Sequence, residues 1–260
     1  MERSDHDRVK ALEKALNLLL LLGRQKSAIS LDLITEASRL NKTTCFRLLK
    51  TLQDFGFVEQ EPGSKNYRLG AQLISLGAAA MQGISLRRLA LPYMQKLKDL
   101  TQETVNLSVL NGNEIVFIER LEAGHIISTH HRIGDRLPAY STCMGKAIMA
   151  YLPAEKLTPI LNSMSFEPMT AKTLQTREAF LEELERVRRE GMSYNVEELE
   201  KGLCAVGAPI IGYTGEAVAA LNVAFPLMRH NLTEALNRFA PEVKKAADAI
   251  SRVLGFNGEK

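Results

Sequence analysis

No stretch of this chain is apolar for long enough to cross a bilayer. Its longest unbroken leucine run, Leu18 to Leu22, falls far short of the ~20 apolar residues that a spanning helix needs. The opening Met-Glu-Arg-Ser-Asp-His-Asp is too acidic for a secretion signal, so a cytoplasmic protein with no membrane partner is expected. Cysteine is scarce: Cys45, Cys143 and Cys204 lie far apart with no CxxC pair. That argues against a disulfide framework and a structural zinc site, and it fits a reducing compartment. Long biased segments are missing too. With 45% hydrophobic and 24% charged residues among 260, the chain can fold throughout, as one small and one medium domain. Neither a cofactor nor a resident metal is expected.

What charge there is sits at one end. Residues 1–69 hold 12 Lys and Arg against 9 Asp and Glu, whereas the remainder is balanced, so the net +3 is entirely N-terminal. Such a bias supports nucleic-acid binding only weakly by itself. The local pattern adds more. Val9, Leu12, Leu16, Leu19 and Leu20 recur at three- and four-residue steps, which predicts a first helix ending near Gly23. Ser30 is placed to cap a second helix carrying Leu33, Ile34 and Ala37, and Asn41 to cap a third.

In that third helix Cys45, Leu48, Leu49 and Leu52 share one face, leaving Lys42, Thr43, Thr44, Phe46, Arg47 and Lys50 on the other. The outer set combines cations for phosphate, an Arg able to reach guanine, hydroxyls, and a ring for a thymine methyl. Phe57 to Gln60 then reads as a strand, Glu61 to Ser64 as a turn and Lys65 to Leu69 as a returning strand. Helix-turn-helix plus hairpin is a winged helix, with Lys65 and Arg68 placed to meet the DNA backbone. On pattern alone, a protein-docking module fits these residues equally well.

Residues 70–84 carry no charge and predict a connecting helix, either a dimer contact or a core helix of the next domain. From residue 85 to 260 helices alternate with strands. A helix is expected over Leu89 to Leu100, with strands at Val105 to Leu110, Ile115 to Arg120, Ile126 to Arg132, Ala205 to Ile211 and Ala217 to Ala224. Further helices are expected from about Thr142, over Arg177 to Glu190, and from Thr233 to Leu254. Short turns between neighbouring strands imply antiparallel sheet and an α+β class. If Ser141 or Thr142 caps its helix, the free amides that follow could take an anion such as a carboxylate.

Four ordered strings carry a resemblance. They are Asn41 through Leu49, the wing end Tyr67-Arg68-Leu69-Gly70, Gly134 through Pro138 with Gly145-Lys146-Ala147, and Glu197-Glu198 with Gly202 and Ala208-Pro209-Ile210. Together they resemble the IclR family of bacterial transcriptional regulators over essentially the whole chain. The resemblance implies a winged-helix domain, a linker helix and a GAF-like antiparallel-sheet effector domain, assembled as a homodimer or a dimer of dimers. It implies a regulator, usually a repressor, of genes for using organic or aromatic acids. Its partners would be a palindromic double-stranded operator and a small carboxylic-acid effector. Carried over by position, the effector site comprises Cys143, Met144, Asn195, Leu203, Ala205, Asn222 and Ala224. Asn195 stands where relatives often have a carboxylate, and Ala205 where they often have a cysteine, so the effector's identity is not carried over.

Two other classes compete. A thiol enzyme would use Cys143 as nucleophile with His130 or His131 as base. Adjacent strand residues point to opposite faces, so only one of those histidines could approach, and no third group is recognisable. A metal sensor would use His125, His130, His131 and the cysteines, which lack the short ligand spacing of such sites.

Overall fold

The computed structural model describes residues 9–25, 27–83, 85–124 and 131–256. It divides into two compact units, Met1–Gly83 and Ile84–Lys260. The first contains α1 (Lys10–Gly23), α2 (Leu31–Ser38), α3 (Lys42–Asp54), an antiparallel hairpin of β1 (Val58–Gln60) and β2 (Tyr67–Leu69), and α4 (Gln72–Gly83). Both expected caps form: Ser30 Oγ accepts from the Leu33 amide at 3.4 Å and Asn41 Oδ1 from the Thr44 amide at 2.8 Å. Between α2 and α3 the chain turns sharply through Arg39, a non-glycine residue at φ 56°. Cys45 and Leu49 of α3 pack on Leu18, Leu22, Ile34, Val58 and Tyr67. A bridge from Ile29 to Tyr67 ties the hairpin to the helices.

The first helix differs from its expected stripe. Leu18 and Leu22 are buried, whereas Val9, Leu12, Leu16 and Leu20 are exposed. This helix is apolar on more than one side, so spacing identifies a stripe without saying which one meets the core. In α2 only Ile34 is buried; Leu33 and Ala37 face outward.

The second unit is a six-stranded sheet of order β5-β4-β3-β8-β7-β6, antiparallel throughout. Its elements are α5 (Ser85–Thr101), β3 (Thr104–Asn111), β4 (Glu114–Leu121), β5 (Arg136–Pro138), α6 (Cys143–Met149) and α7 (Ala154–Ser163). They continue with α8 (Arg177–Glu190), β6 (Ser193–Val196), β7 (Leu203–Ile211), β8 (Ala217–Pro226) and α9 (Leu232–Val253). The class is α+β, as expected. Of the strand expected at Ile126 to Arg132, residues 126–130 lie outside the described residues, and His131 and Arg132 carry no strand; β5 instead pairs with β4. Two further elements escaped the sequence pattern, α7, which has Pro159 inside it, and β6, only four residues long.

Alternation along the strands gives the sheet two different faces. One presents Val105, Leu107, Val206, Leu221, Val223 and Phe225 to α5 and α9. The other presents Phe117, Ala205 and Ala220 to α6 and α8, and also carries the buried polar residues Asn106, Ser108, Ser193, Asn195 and Asn222. Helix α6 is fixed on this second face by two devices. A Cβ at Gly145 would lie 2.1 Å from the Ala139 carbonyl oxygen, so only glycine allows this approach. Lys146 is 1% exposed and reaches Glu198 at 2.6 Å and Glu183 at 3.2 Å. Burial pushes the Glu198 carboxyl above its ordinary range more than Lys146 pulls it down. Burial acts on Glu183 too, but Arg186 and Lys146 together outweigh it and hold that carboxyl low.

Candidate functional site

The outward face of α3 carries the residues singled out in sequence. Lys42, Thr43, Phe46, Arg47 and Lys50 are exposed and Thr44 is half-buried, while Phe46 leaves 52% of its surface in water. Two of the cations have acidic neighbours, Lys42 with Asp32 at 2.6 Å and Lys50 with Asp54 at 3.1 Å. Exposed pairs of this kind contribute no more than about 1 kcal/mol, so a phosphate can displace them. Among the described residues no salt bridge engages Arg47 or Lys65. Arg68 is different. Its guanidinium donates to Glu59 at 3.0 Å, and the other oxygen of that carboxylate accepts from the Ala71 amide at 3.2 Å. The Ala71 amide, then Arg68, hold the Glu59 carboxyl below its ordinary range, so it stays ionised and offsets the Arg68 charge. Nothing in the spacing of the sequence signalled this partner, which lies across the hairpin register.

On the second unit, Cys143, Met144, Asn195, Leu203, Ala205, Asn222 and Ala224 all line one cavity of about 30 Å³. Asn106, Phe117, Leu137 and Leu199, missed in sequence, complete it together with Thr142, expected there as the helix cap, and His131, weighed only as a catalytic base or metal ligand. The alternation Thr104-Val105-Asn106-Leu107-Ser108 was the available signal, since polar groups on a face that packs against a helix need a reason to be there. A neighbouring cavity of about 220 Å³ shares Leu203 and Ala224 as its wall.

Inside the smaller cavity the polar groups are ordered. Asn222 Nδ2 donates to Cys143 Sγ at 3.4 Å and Asn106 Nδ2 donates to Asn222 Oδ1 at 2.8 Å. Asn195 is committed at both ends: Nδ2 donates to the Ser141 carbonyl at 2.5 Å, and Oδ1 accepts from the Glu198 amide at 3.1 Å. It braces the loop around the cavity. Thr142 caps α6 by accepting from the Gly145 amide at 3.0 Å. With only seven residues, α6 has a short dipole, so the anion argument made from its N-terminus loses force.

Burial pushes the Cys143 thiol up to about 11, outweighing the Asn222 donor and the Lys146 charge. A neutral thiol is a poor nucleophile. His131 stacks on Phe117 with ring centroids 5.5 Å apart. Among the described residues no group of His, Cys, Asp and Glu could hold a metal ion; His125 and His130 lie outside them.

Residues 78–252 match the family model for the bacterial transcriptional regulator IclR C-terminal domain, and residues 11–62 match the IclR helix-turn-helix domain. The chain belongs to the IclR family. As an IclR protein it is a DNA-binding transcriptional regulator rather than an enzyme, which sets the thiol-enzyme reading aside. It is 32% identical to the transcriptional regulator KdgR of Escherichia coli (strain K12), over 96% of this chain and 95% of that protein. Identity to the transcriptional repressor AllR of the same strain is also 32%, over 95% of this chain and 91% of that protein. The IclR fold recurs in the crystal structure of an IclR homolog complexed with 4-hydroxybenzoate from Microbacterium hydrocarbonoxydans. The TM-score is 0.80 at 24% identity, over 94% of this chain and 99% of that one.

Proposed function

We propose that this IclR-family regulator is a cytoplasmic repressor of genes for using a small organic or aromatic acid, and that the acid binds in the cavity between α6 and the sheet. The observation that carries the reading is the gathering of buried polar side chains, Asn106 and Asn222 foremost, around a cavity on an otherwise apolar sheet face. About 30 Å³ admits roughly a single water-sized group, so a larger acid has to displace lining side chains or extend past Leu203 and Ala224 into the adjoining space. The 4-hydroxybenzoate held by the Microbacterium relative is an acid of this class.

At the operator, α3 lies in the major groove with Arg47 toward a guanine and Thr43, Thr44 and Phe46 toward neighbouring bases. Lys42, Lys50, Lys65 and, less strongly, Arg68 meet phosphates. A palindromic site is read by a dimer or dimer of dimers; the exposed Leu12, Leu16 and Leu20 of α1 and Ile74 of α4 support a second copy as the covering partner. The test is a thermal-shift screen of purified protein against small carboxylic acids, including 4-hydroxybenzoate and pyruvate, with hits added to a titration of DNA from upstream of its own gene. An acid that raises the melting temperature and releases the DNA supports the proposal. Failure of every acid to bind overturns it.

A further inference from the structure

The cavity is backed by a directed chain of hydrogen bonds. Arg120 Nη1 donates to Asn106 Oδ1 at 2.9 Å, Asn106 Nδ2 donates to Asn222 Oδ1 at 2.8 Å, and Asn222 Nδ2 reaches Cys143 Sγ at 3.4 Å. A primary amide has a donor end and an acceptor end of nearly the same shape, so its neighbours decide which end points where. A guanidinium only donates. The end of Asn106 that meets Arg120 is therefore its oxygen, which turns the Asn106 nitrogen toward Asn222. That nitrogen in turn requires the Asn222 oxygen, leaving the Asn222 nitrogen directed into the cavity.

The Arg120 side chain is 4% exposed and does not line the cavity; it also pairs with Glu122 at 3.1 Å. Its position behind Asn106 is fixed by the β3–β4 register, in which Asn106 and Arg120 are partners, and Asn106 in turn is the partner of Asn222 on β8. Three adjacent strands thus carry one polarity from the β4 side of the sheet to its centre. At the end of the chain the acceptor is a thiol sulfur, a weak one, which a ligand oxygen can replace.

We propose that Arg120, acting through Asn106, is a positioning residue that presents Asn222 to the cavity as a hydrogen-bond donor. The effector must then offer an oxygen acceptor, a carboxylate or carbonyl, at that point, and a ligand offering an ammonium or amide N–H there is refused. This rests on the cavity being the effector site and adds to it a rule for the ligand's chemistry.

Asn106→Asp tests the rule with almost no change of shape. An aspartate keeps Arg120 as a partner but cannot donate to Asn222, so the Asn222 amide has to turn and show its oxygen to the cavity. Calorimetric titration with 4-hydroxybenzoate and pyruvate is expected to weaken on the order of 10- to 100-fold, as for loss of a charge-assisted hydrogen bond. Arg120→Lys, still a pure donor, retains most of the binding, whereas Arg120→Gln, able to accept or donate, loses part of it. Unchanged affinity in Asn106→Asp overturns the rule. A ligand-free measurement separates this from failure of the cavity reading: the Asn222 side-chain N–H resonances of 15N-asparagine-labelled protein, identified by their loss in Asn222→Leu. They move downfield in Asn106→Asp as they bond to a carboxylate. If they stay in place the relay is wrong, whichever acids bind; if they move while no acid binds wild type, the relay stands and the acid assignment falls. Should Asn106→Asp fail to fold, the Arg120 pair decides: equal acid affinity in Arg120→Lys and Arg120→Gln overturns the rule.

Discussion

The Cys143 thiol is held in its neutral form chiefly by burial, with its pKa pushed up to about 11 from an ordinary 9.0. In the unfolded chain the thiol ionises first as pH rises, so the stabilisation is present below pH 9 and is lost between there and about 11. The rise corresponds to roughly 2 to 3 kcal/mol. Urea unfolding of wild type and Cys143→Ala across this range checks it: the variant's stability should fall less steeply with pH. Iodoacetamide at neutral pH should leave Cys143 unlabelled in folded protein and label it once unfolded. Rapid labelling of the native state would contradict a closed, neutral thiol. The sequence marked this residue correctly as lying at the start of a helix and favoured a cavity wall over a nucleophile; its burial and raised pKa agree with the neutral thiol of a wall. Asn195 lines the same cavity, while its commitment to Ser141 depends on a contact 54 residues away that no local pattern carries.

Among the elements, α3 was legible because cap, spacing and inward face all agree on one helix: Asn41 starts it and Cys45 and Leu49 bury one side. Replacing Arg47 by Ala should cost about 1–3 kcal/mol at the operator and much less on random DNA. Equal losses on both would reduce it to a phosphate contact. Helix α6 was legible in position but not in attachment, since Gly145 and Lys146 act on partners distant in sequence. Gly145→Ala drives a methyl into the Ala139 carbonyl and is expected to destabilise by about 1–3 kcal/mol, seen as a lower melting temperature. Lys146→Met strips the charge from beside Glu198 and Glu183, an expected loss of about 3–5 kcal/mol that Glu198→Gln in the same chain should partly restore. Pro159 and the shortness of β6 broke the patterns of α7 and β6, so these were invisible beforehand.

For the molecule as a whole, the proposed reading of an operator by paired copies rests on charge and on the exposed apolar stripe of α1. Freeing Arg68 by Glu59→Gln should steepen the salt dependence of DNA binding, by about 0.9 in the log–log slope for each added phosphate contact. An unchanged slope would mean that Arg68 never reaches DNA. Leu16→Glu on the exposed stripe should leave the chain's own stability within about 0.5 kcal/mol yet weaken binding to a two-half-site operator, measured by sedimentation and DNA titration together. The stripe itself could be read in sequence; that it faces away from its own core could not.

The division of the larger unit's sheet into two unlike faces has an evolutionary corollary. Side chains at 106, 108, 222 and 224 point away from the packing that holds α5 and α9 in place. Under the proposed effector site, exchanging these side chains, with Arg120 altered wherever Asn106 changes, would let descendants of one scaffold acquire new inducers while the half of the domain behind the sheet stays as it is.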